Sequence, residues 1–255
     1  KRFMSCEIGE NEYYPSPDGG QGKKEAYKFH VSTPRGDFNA DSLVIATGGL
    51  SIPNTGATPF GYHVAEQFGI PITKLKPGLV PLTVAPDDWK PYADLTGVSL
   101  DVVVGCGSHK QSFRGNMLVT HRGLSGPAIL QISSYWQHGQ PLHIDLVPDC
   151  DMAALLDEQK TSKKLLSNFL TQWFSRSFSD VWCAQLAGQK QIENKPLNQY
   201  NDKQRKMIAG QLHDWQIIPS GTAGYNKAEV TCGGIDTRAL SSKTMECVEV
   251  PGLYF

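Results

Sequence analysis

The stretch Asp41-Ser-Leu-Val-Ile-Ala-Thr-Gly-Gly49 constrains the fold more than any other part of the chain. Leu43, Val44, Ile45 and Ala46 form a short continuous apolar run, the pattern of a strand buried on both faces of a parallel sheet. Thr47-Gly48-Gly49 ends the run at once. Two glycines there allow a sharp turn and remove side chains that would hold a ligand away from the main chain. In open α/β sheets ligands bind just outside the carboxyl ends of the strands, so this turn is the first candidate site.

The neighbouring sequence extends this into a βα unit. Ser51–Thr58 reads as a loop, Thr58 as a hydroxyl N-cap and Pro59 as the first helical residue. Tyr62, Ala65 and Phe68 keep helical spacing, and Gly69 is the expected stop. A helix N-terminus beside a glycine turn can hold an anion such as a pyrophosphate, although an ordinary βα unit has the same pattern. Upstream, residues 1–26 are polar, carry Pro15, Pro17 and an Asp18–Gly22 cluster, and read as a loop or hairpin tip. Ala26–Ser32 alternates as a half-buried strand, and Pro34–Asp37 turns the chain back through Phe38.

From Pro77 to about Thr120 the texture becomes β-rich. Leu79–Val84, Val98–Val104, Lys110–Phe113 and Met117–Thr120 are short runs with no helical pattern between them, which predicts an antiparallel sheet or small barrel. Gly105-Cys-Gly-Ser-His-Lys110 imitates a dinucleotide fingerprint but lacks its third glycine and following helix, so a hairpin turn is expected. Thr120-His-Arg-Gly-Leu-Ser-Gly-Pro127 places His121 and Arg122 before a helix that Ser125 would cap and that runs to about Trp136. An imidazole and a guanidinium at a strand-to-helix junction suit a substrate or anion site, or a surface turn capping nearby carbonyls. Leu142–Leu146 is a further strand. Helices follow around Leu165–Trp173, at Val181–Leu186 and at Lys203–Leu212, with Lys203, Arg205 and Lys206 on a solvated face and Trp173, Phe174 and Trp182 in the core. Trp215–Pro219, Ala228–Asp236 (interrupted by Gly233-Gly234) and the start of a strand at Leu253–Phe255 complete the chain.

Composition narrows the class. The chain has 255 residues, 40% hydrophobic and 19% charged, which describes a globular protein of one large or two medium domains. No apolar run approaches the roughly 18 residues of a membrane-spanning helix, so no membrane partner and a cytoplasmic location are expected. The six cysteines are scattered without a CxxC pair, so neither a disulfide framework nor a metal site is expected. A net charge of −1 gives no electrostatic footprint for nucleic acid. The start at Lys1 without Met and the stop within Leu253-Tyr254-Phe255 read as a fragment of a longer protein.

With these pieces in place, the chain resembles the YhiN/BaiN-like, or HI0933-like, flavoproteins, described as NAD(P)/FAD-dependent oxidoreductases. The match is carried by Val44-Ile-Ala-Thr-Gly-Gly-Leu-Ser51, Gly56-Ala-Thr-Pro-Phe-Gly-Tyr62 and Thr120-His-Arg-Gly-Leu-Ser-Gly-Pro-Ala-Ile-Leu-Gln131. It continues through Gly221-Thr-Ala-Gly-Tyr225, Ala228-Glu-Val-Thr-Cys-Gly-Gly-Ile-Asp236, Ser241-Ser-Lys-Thr-Met-Glu246 and Pro251-Gly-Leu-Tyr-Phe255. A looser similarity reaches the fumarate reductase and aspartate oxidase group.

The resemblance implies an α/β fold: a partial Rossmann-like FAD-binding domain at 1–75 and 231–255, interrupted at 76–230 by an inserted α+β domain with a β-barrel-like portion and a helical portion. It implies FAD as cofactor and NAD(P)H as reductant. Ala46, Thr47, Gly48, Gly49, Gly233 and Gly234 would be cofactor-binding, and His121 and Arg122 catalytic on the substrate side. The G-x-G-x-x-G turn that grips the pyrophosphate in this family does not occur in the chain, so weak or no FAD binding is expected of the fragment alone. The expected function is hydride transfer to a small organic substrate. The alternatives are a flavin enzyme acting on a base in RNA, which the net charge disfavours, and a non-catalytic binding module.

Overall fold

A computed structural model describes residues 7–10, 28–107, 111–190 and 192–255. The chain divides into two compact units, one made of Lys1–Lys76 with Thr231–Phe255 and the other of Pro77–Val230.

The first unit opens with a three-stranded antiparallel sheet of β1 (Glu7–Glu10), β2 (Phe29–Thr33) and β3 (Gly36–Ala40). The expectation of a loop or hairpin tip over residues 1–26 is thus corrected at Glu7–Glu10, which pairs with Phe29–Ser32; the rest of that stretch lies outside the described residues. A four-residue strand with two carboxylates carries no legible period, and its ladder partner defines it. β2 and β3 form the hairpin expected around Pro34-Arg35, with Thr33 opposite Gly36. The Thr33 hydroxyl donates to the Gly36 carbonyl and accepts from the Arg35 amide.

β4 is only Leu43–Val44, and Val44 is 64% exposed, so the expectation of a strand buried on both faces is corrected. Among the described residues one ladder partner is present, the final strand, introduced below. A buried parallel strand needs neighbours on both edges and cover on both faces, and β4 has one neighbour. Helix α1 (Phe60–Gln67) begins one residue later than expected. Pro59 is its N-cap, and the Thr58 hydroxyl only approaches the Phe60 amide at 3.5 Å. Gly69 stops the helix as expected: at φ 67 it lets the Ile70 amide reach the Ala65 carbonyl at 2.8 Å. Val64, Ala65, Ile70, Phe29 and Ile45 form part of this unit's core.

After β5 (Lys76–Gly78) the second unit is built on one antiparallel sheet. In chain order come β6 (Leu82–Thr83), helix α2 (Pro86–Trp89), β7 (Ser99–Cys106), β8 (Ser112–Thr120), β9 (Gly123–Ser125), α3 (Pro127–Ser133) and β10 (Leu142–Asp145). Four helices follow, α4 (Met152–Glu158), α5 (Leu166–Leu170), α6 (Arg176–Lys190) and α7 (Asp202–His213), and then β11 (Trp215–Ile217) and β12 (Gly221–Thr222). The strand order is β11-β10-β7-β8-β9-β6-β12. β7 alternates cleanly, with Leu100, Val102, Val104 and Cys106 turned inward. Its ladder with β8 runs unbroken from Ser99–Leu118 to Gly105–Ser112, which makes one strand of the two runs expected at 110–113 and 117–120. The polar Arg114 and Asn116 that divide those runs in the sequence lie toward solvent.

Two helix ends differ from expectation. Ser125 remains in β9 opposite Leu118, and Gly126 at φ 91 is the N-cap of α3, which ends at Ser133 rather than Trp136. The positive φ is what turns a strand into a helix within one residue. α6 spans fifteen residues where a short helix around Val181–Leu186 was expected. The Ser175 hydroxyl and carbonyl accept from the Phe178 and Ser179 amides, and this start is invisible in a polar stretch read for apolar period.

A chain of aromatic contacts joins sheet and helices into one core. Trp89 lies 5.1 Å from Tyr92, Tyr92 5.5 Å from Trp215, Trp215 6.1 Å from Phe178 and Phe178 5.2 Å from Phe174. Burial pushes the Tyr92 phenol up to about 12, so it packs as a neutral group. The last strands are β13 (Val230–Cys232) and β14 (Leu253–Tyr254). β14 is the partner of β4 and runs parallel to it: the Leu43 amide donates to Gly252 O and the Ile45 amide to Tyr254 O, both at 2.8 Å.

Gly123 is the least replaceable residue of the sheet. Its φ is 147 and an added methyl would lie 2.3 Å from the Leu82 carbonyl oxygen. Gly123→Ala is expected to cost about 3 kcal/mol through backbone strain and separation of β9 from β6, measurable as a lowered urea midpoint with unchanged m-value.

Candidate functional site

The glycine turn and the strand that returns to it meet at Thr231 in the first unit. Ala46, Thr47 and Gly48 are exposed, and Gly48 has φ 74 with open space where a side chain would be. Gly49 is different, because an added methyl would lie 2.6 Å from the Thr231 hydroxyl oxygen and 3.2 Å from that of Tyr62. That close approach lets Thr231 Oγ1 accept from the Leu50 amide at 2.9 Å and the Ser51 amide at 3.2 Å, with Ser51 Oγ at 3.1 Å. Helix α1 reaches the same turn through Gly61, where a methyl would meet Thr47 Oγ1 at 3.0 Å and Ile45 at 3.1 Å. One residue further on, Ile52 is held at φ 54, a strained position for a β-branched residue.

The second glycine pair is fixed by main-chain contacts. Gly233, φ 82, is packed so that a methyl would lie 2.3 Å from the Lys74 carbonyl oxygen. Gly234 exchanges hydrogen bonds with Thr73: its amide donates to Thr73 Oγ1 at 3.0 Å, and its carbonyl accepts from the Thr73 amide at 2.8 Å and hydroxyl at 3.1 Å. The Arg238 guanidinium holds the Asp236 carboxyl down to about 2. Ala46–Gly49 and Gly233-Gly234 contain no charged side chain. Of these glycines Gly48 and Gly234 leave open space where a side chain would be, and the two segments supply no cation for a pyrophosphate.

His121 and Arg122 belong to the other unit, where they are the two-residue tip of the β8–β9 hairpin, with Thr120 opposite Gly123. The tip is tightly held. The Thr120 hydroxyl donates to the Gly123 carbonyl at 2.9 Å, and the Val84 amide donates to the Arg122 carbonyl at 3.0 Å. Below it, the Trp89 indole donates to the Thr120 carbonyl at 2.7 Å. Both side chains are exposed and, among the described residues, neither has a hydrogen bond or ion pair. An imidazole and a guanidinium on a tightly held turn can bind an anion or present a proton donor.

Sequence reasoning assigned Gly233 and Gly234 to the same cofactor as Ala46–Gly49 but missed the Thr231 hydroxyl as the acceptor that fixes Leu50 and Ser51. A contact across about 180 positions leaves no local signal. Among the described residues no group of three or more His, Cys, Asp or Glu is arranged to hold a metal ion. Cys183 and Cys247 are buried free thiols, and burial pushes Cys183 up to about 12, which removes it as a nucleophile.

Comparison with known proteins defines the class. Residues 76–230 match the family model described as the HI0933-like protein barrel and H2TH domain, and the chain belongs to the HI0933-like family. A protein of Escherichia coli (strain K12) named ribosomal RNA dihydrouridine synthase is 45% identical over 84% of this chain and 53% of its own length. A protein of the same name from Haemophilus influenzae is 40% identical over 91% of this chain and 57% of its own. A 3-dehydro-bile acid delta(4,6)-reductase from Clostridium scindens is 24% identical over 91% of this chain and 59% of its own. The chain therefore spans somewhat more than half the length of the curated relatives it matches. The two relatives named for ribosomal RNA overturn the expectation of a small-molecule substrate and partner. That expectation rested on the family resemblance, with the whole-chain charge of −1 weighing mildly against RNA; a total charge averages over surfaces that need not face the same partner.

Removing the Thr231 acceptor tests the construction of the turn. Thr231→Val leaves two amides without their partner and is expected to cost about 1–3 kcal/mol locally, seen as faster hydrogen exchange at Leu50 and Ser51. Thr231→Ser should retain most of the protection.

Proposed function

We propose that the protein containing this chain is a flavin-dependent enzyme that reduces a uridine base of ribosomal RNA to dihydrouridine. The carrying observation is the 45% and 40% identity, over 84% and 91% of this chain, to proteins named for that activity. The third relative supports the reaction type. Dihydrouridine synthesis and reduction of a delta(4,6) bond in a 3-dehydro bile acid both saturate a carbon–carbon double bond conjugated to a carbonyl. For the uridine base, this means a hydride added to the carbon far from the carbonyl and a proton to the near one.

FAD, rereduced by NADH or NADPH, would supply the hydride. The chain's own residues would then have two tasks. Residues 1–75 and 231–255 would be the part of a Rossmann-like FAD-binding domain that this chain carries, with 76–230 inserted between them. Ala46, Thr47, Gly48 and Gly49, held by Thr231, together with Gly233 and Gly234, would line the cofactor through backbone atoms. His121 and Arg122 would serve the RNA: Arg122 to fix a phosphate or a base carbonyl, His121 to hold or release a proton at its imidazole. A ribosomal RNA substrate is consistent with a cytoplasmic enzyme.

The test uses the full-length protein with FAD, NADPH and ribosomal RNA lacking dihydrouridine. Mass spectrometry of digested RNA should show a uridine gaining two hydrogens, and no gain with fully reduced flavin would overturn the reading. His121→Ala is expected to lower kcat by about 10²-fold, and Arg122→Ala to raise KM for RNA by about tenfold, both with flavin content retained. Wild-type kinetics in both variants would remove the hairpin from the active site.

A further inference from the structure

The helical portion of the second unit carries a charge pattern that the whole-chain value conceals. Between Asp151 and His213 there are nine lysines and arginines against six aspartates and glutamates. Most of those acids are committed within the fold. Asp157 and Asp202 face the Arg205 guanidinium, whose side chain is only 11% exposed, and Asp180 pairs with Arg176. Asp151 caps α4 by accepting from the Ala154 amide. Glu158 and Glu193 remain as exposed carboxylates. Arg205, expected on a solvated face with Lys203 and Lys206, instead works inside the structure, tying the start of α7 to α4.

Lys190, at the end of α6, and four further exposed lysines have no such employment. Among the described residues Lys163, Lys164, Lys203 and Lys206 make no ion pair. The backbone brings them to one region. The Asn198 amide donates to Ser162 O at 2.9 Å, the Leu197 amide to Lys164 O at 3.0 Å and the Leu166 amide to Lys195 O at 3.2 Å. The loop bearing Lys163 and Lys164 is thus stitched to the segment that enters α7. Asn201 then starts α7 with a capping box. Lys203 and Lys206 are three residues apart on the face opposite the buried Ile208, Ala209 and Leu212. The aromatics nearby are turned inward: Phe169, Phe174 and Tyr200 are buried, and the Trp173 indole donates to Cys150. A surface of ammonium groups without exposed rings suits phosphates and not the stacking of unpaired bases.

We infer that Lys163, Lys164, Lys203 and Lys206 form a phosphate-contacting surface for folded ribosomal RNA. The inference rests on the proposed function and adds a division of labour: these lysines supply affinity along the RNA backbone and take no part in reducing the base. The four ammonium groups neutralise phosphates and release counterions, so their contribution is read in the salt dependence of binding.

The experiment uses the full-length protein and purified ribosomal RNA, with filter binding across a potassium chloride series and dihydrouridine formation followed in parallel. Substituting all four lysines by glutamine should raise Kd at least about tenfold near 0.1 M salt and lower the log–log salt slope by about three to four. KM for RNA should rise while kcat and flavin content stay at wild-type values. Arginine at the same four positions should keep the slope, and this isolates charge from folding. Lys227→Gln with Lys243→Gln, exposed lysines on other segments, should change neither. A glutamine variant with wild-type slope and Kd, still forming dihydrouridine, would overturn the inference and leave the reading of function standing. Wild-type protein that neither binds the RNA nor forms dihydrouridine would overturn both.

Discussion

The first unit depends on the return of the chain. Its two segments, Lys1–Lys76 and Thr231–Phe255, are held by the Thr231 hydroxyl on the amides of Leu50 and Ser51 and by the parallel pairing of Leu253-Tyr254 with Leu43-Val44. Bringing together residues separated by an entire folded unit carries a loop-closure cost unless the ends of that unit already lie close. They do. The Glu229 amide donates to the Leu79 carbonyl at 3.2 Å, so the unit enters and leaves at neighbouring points and acts as a short closed loop. Gly49 completes the arrangement, since its missing side chain is the space that Thr231 fills.

The second unit has a different logic, with a sheet and a group of helices sharing one aromatic core. Trp215 of β11 touches Tyr92 from the stretch after β6 and Phe178 from α6, so neither portion buries its apolar surface alone. The family description of a barrel with a helical domain fits this shared core. The exposed functional candidates sit on its outside, at the β8–β9 tip and around the start of α7.

Features set by local chemistry were legible in the sequence: the Gly69 stop, the Pro34-Arg35 hairpin, a strand at Val98–Val104 and the burial of Phe174 and Trp182. What escaped depends on distant partners. β4 has the composition of a buried strand, yet Val44 is exposed because β14 is its one partner among the described residues. Ser125 has the chemistry of a cap, but β8 claims it as a ladder residue and Gly126 takes the cap. The glycine turn itself was found from its residues alone, while the hydroxyl that shapes it lies far away in sequence. The same limit misled the reading of partners. A total charge of −1 hides that Arg205 is spent internally while Lys203 and Lys206 face solvent.

The β8–β9 tip has little freedom of its own. Arg122 is tied through its carbonyl to Val84, and Gly123 is wedged against Leu82. The two side chains it presents can therefore be re-aimed only by moving the strand beneath them. If the tip serves the RNA as proposed, adaptation of a relative to a different substrate would proceed less by exchanging His121 or Arg122 than by small shifts at Leu82–Val84. Sequence identity at the tip would be a poor guide to what such a relative accepts.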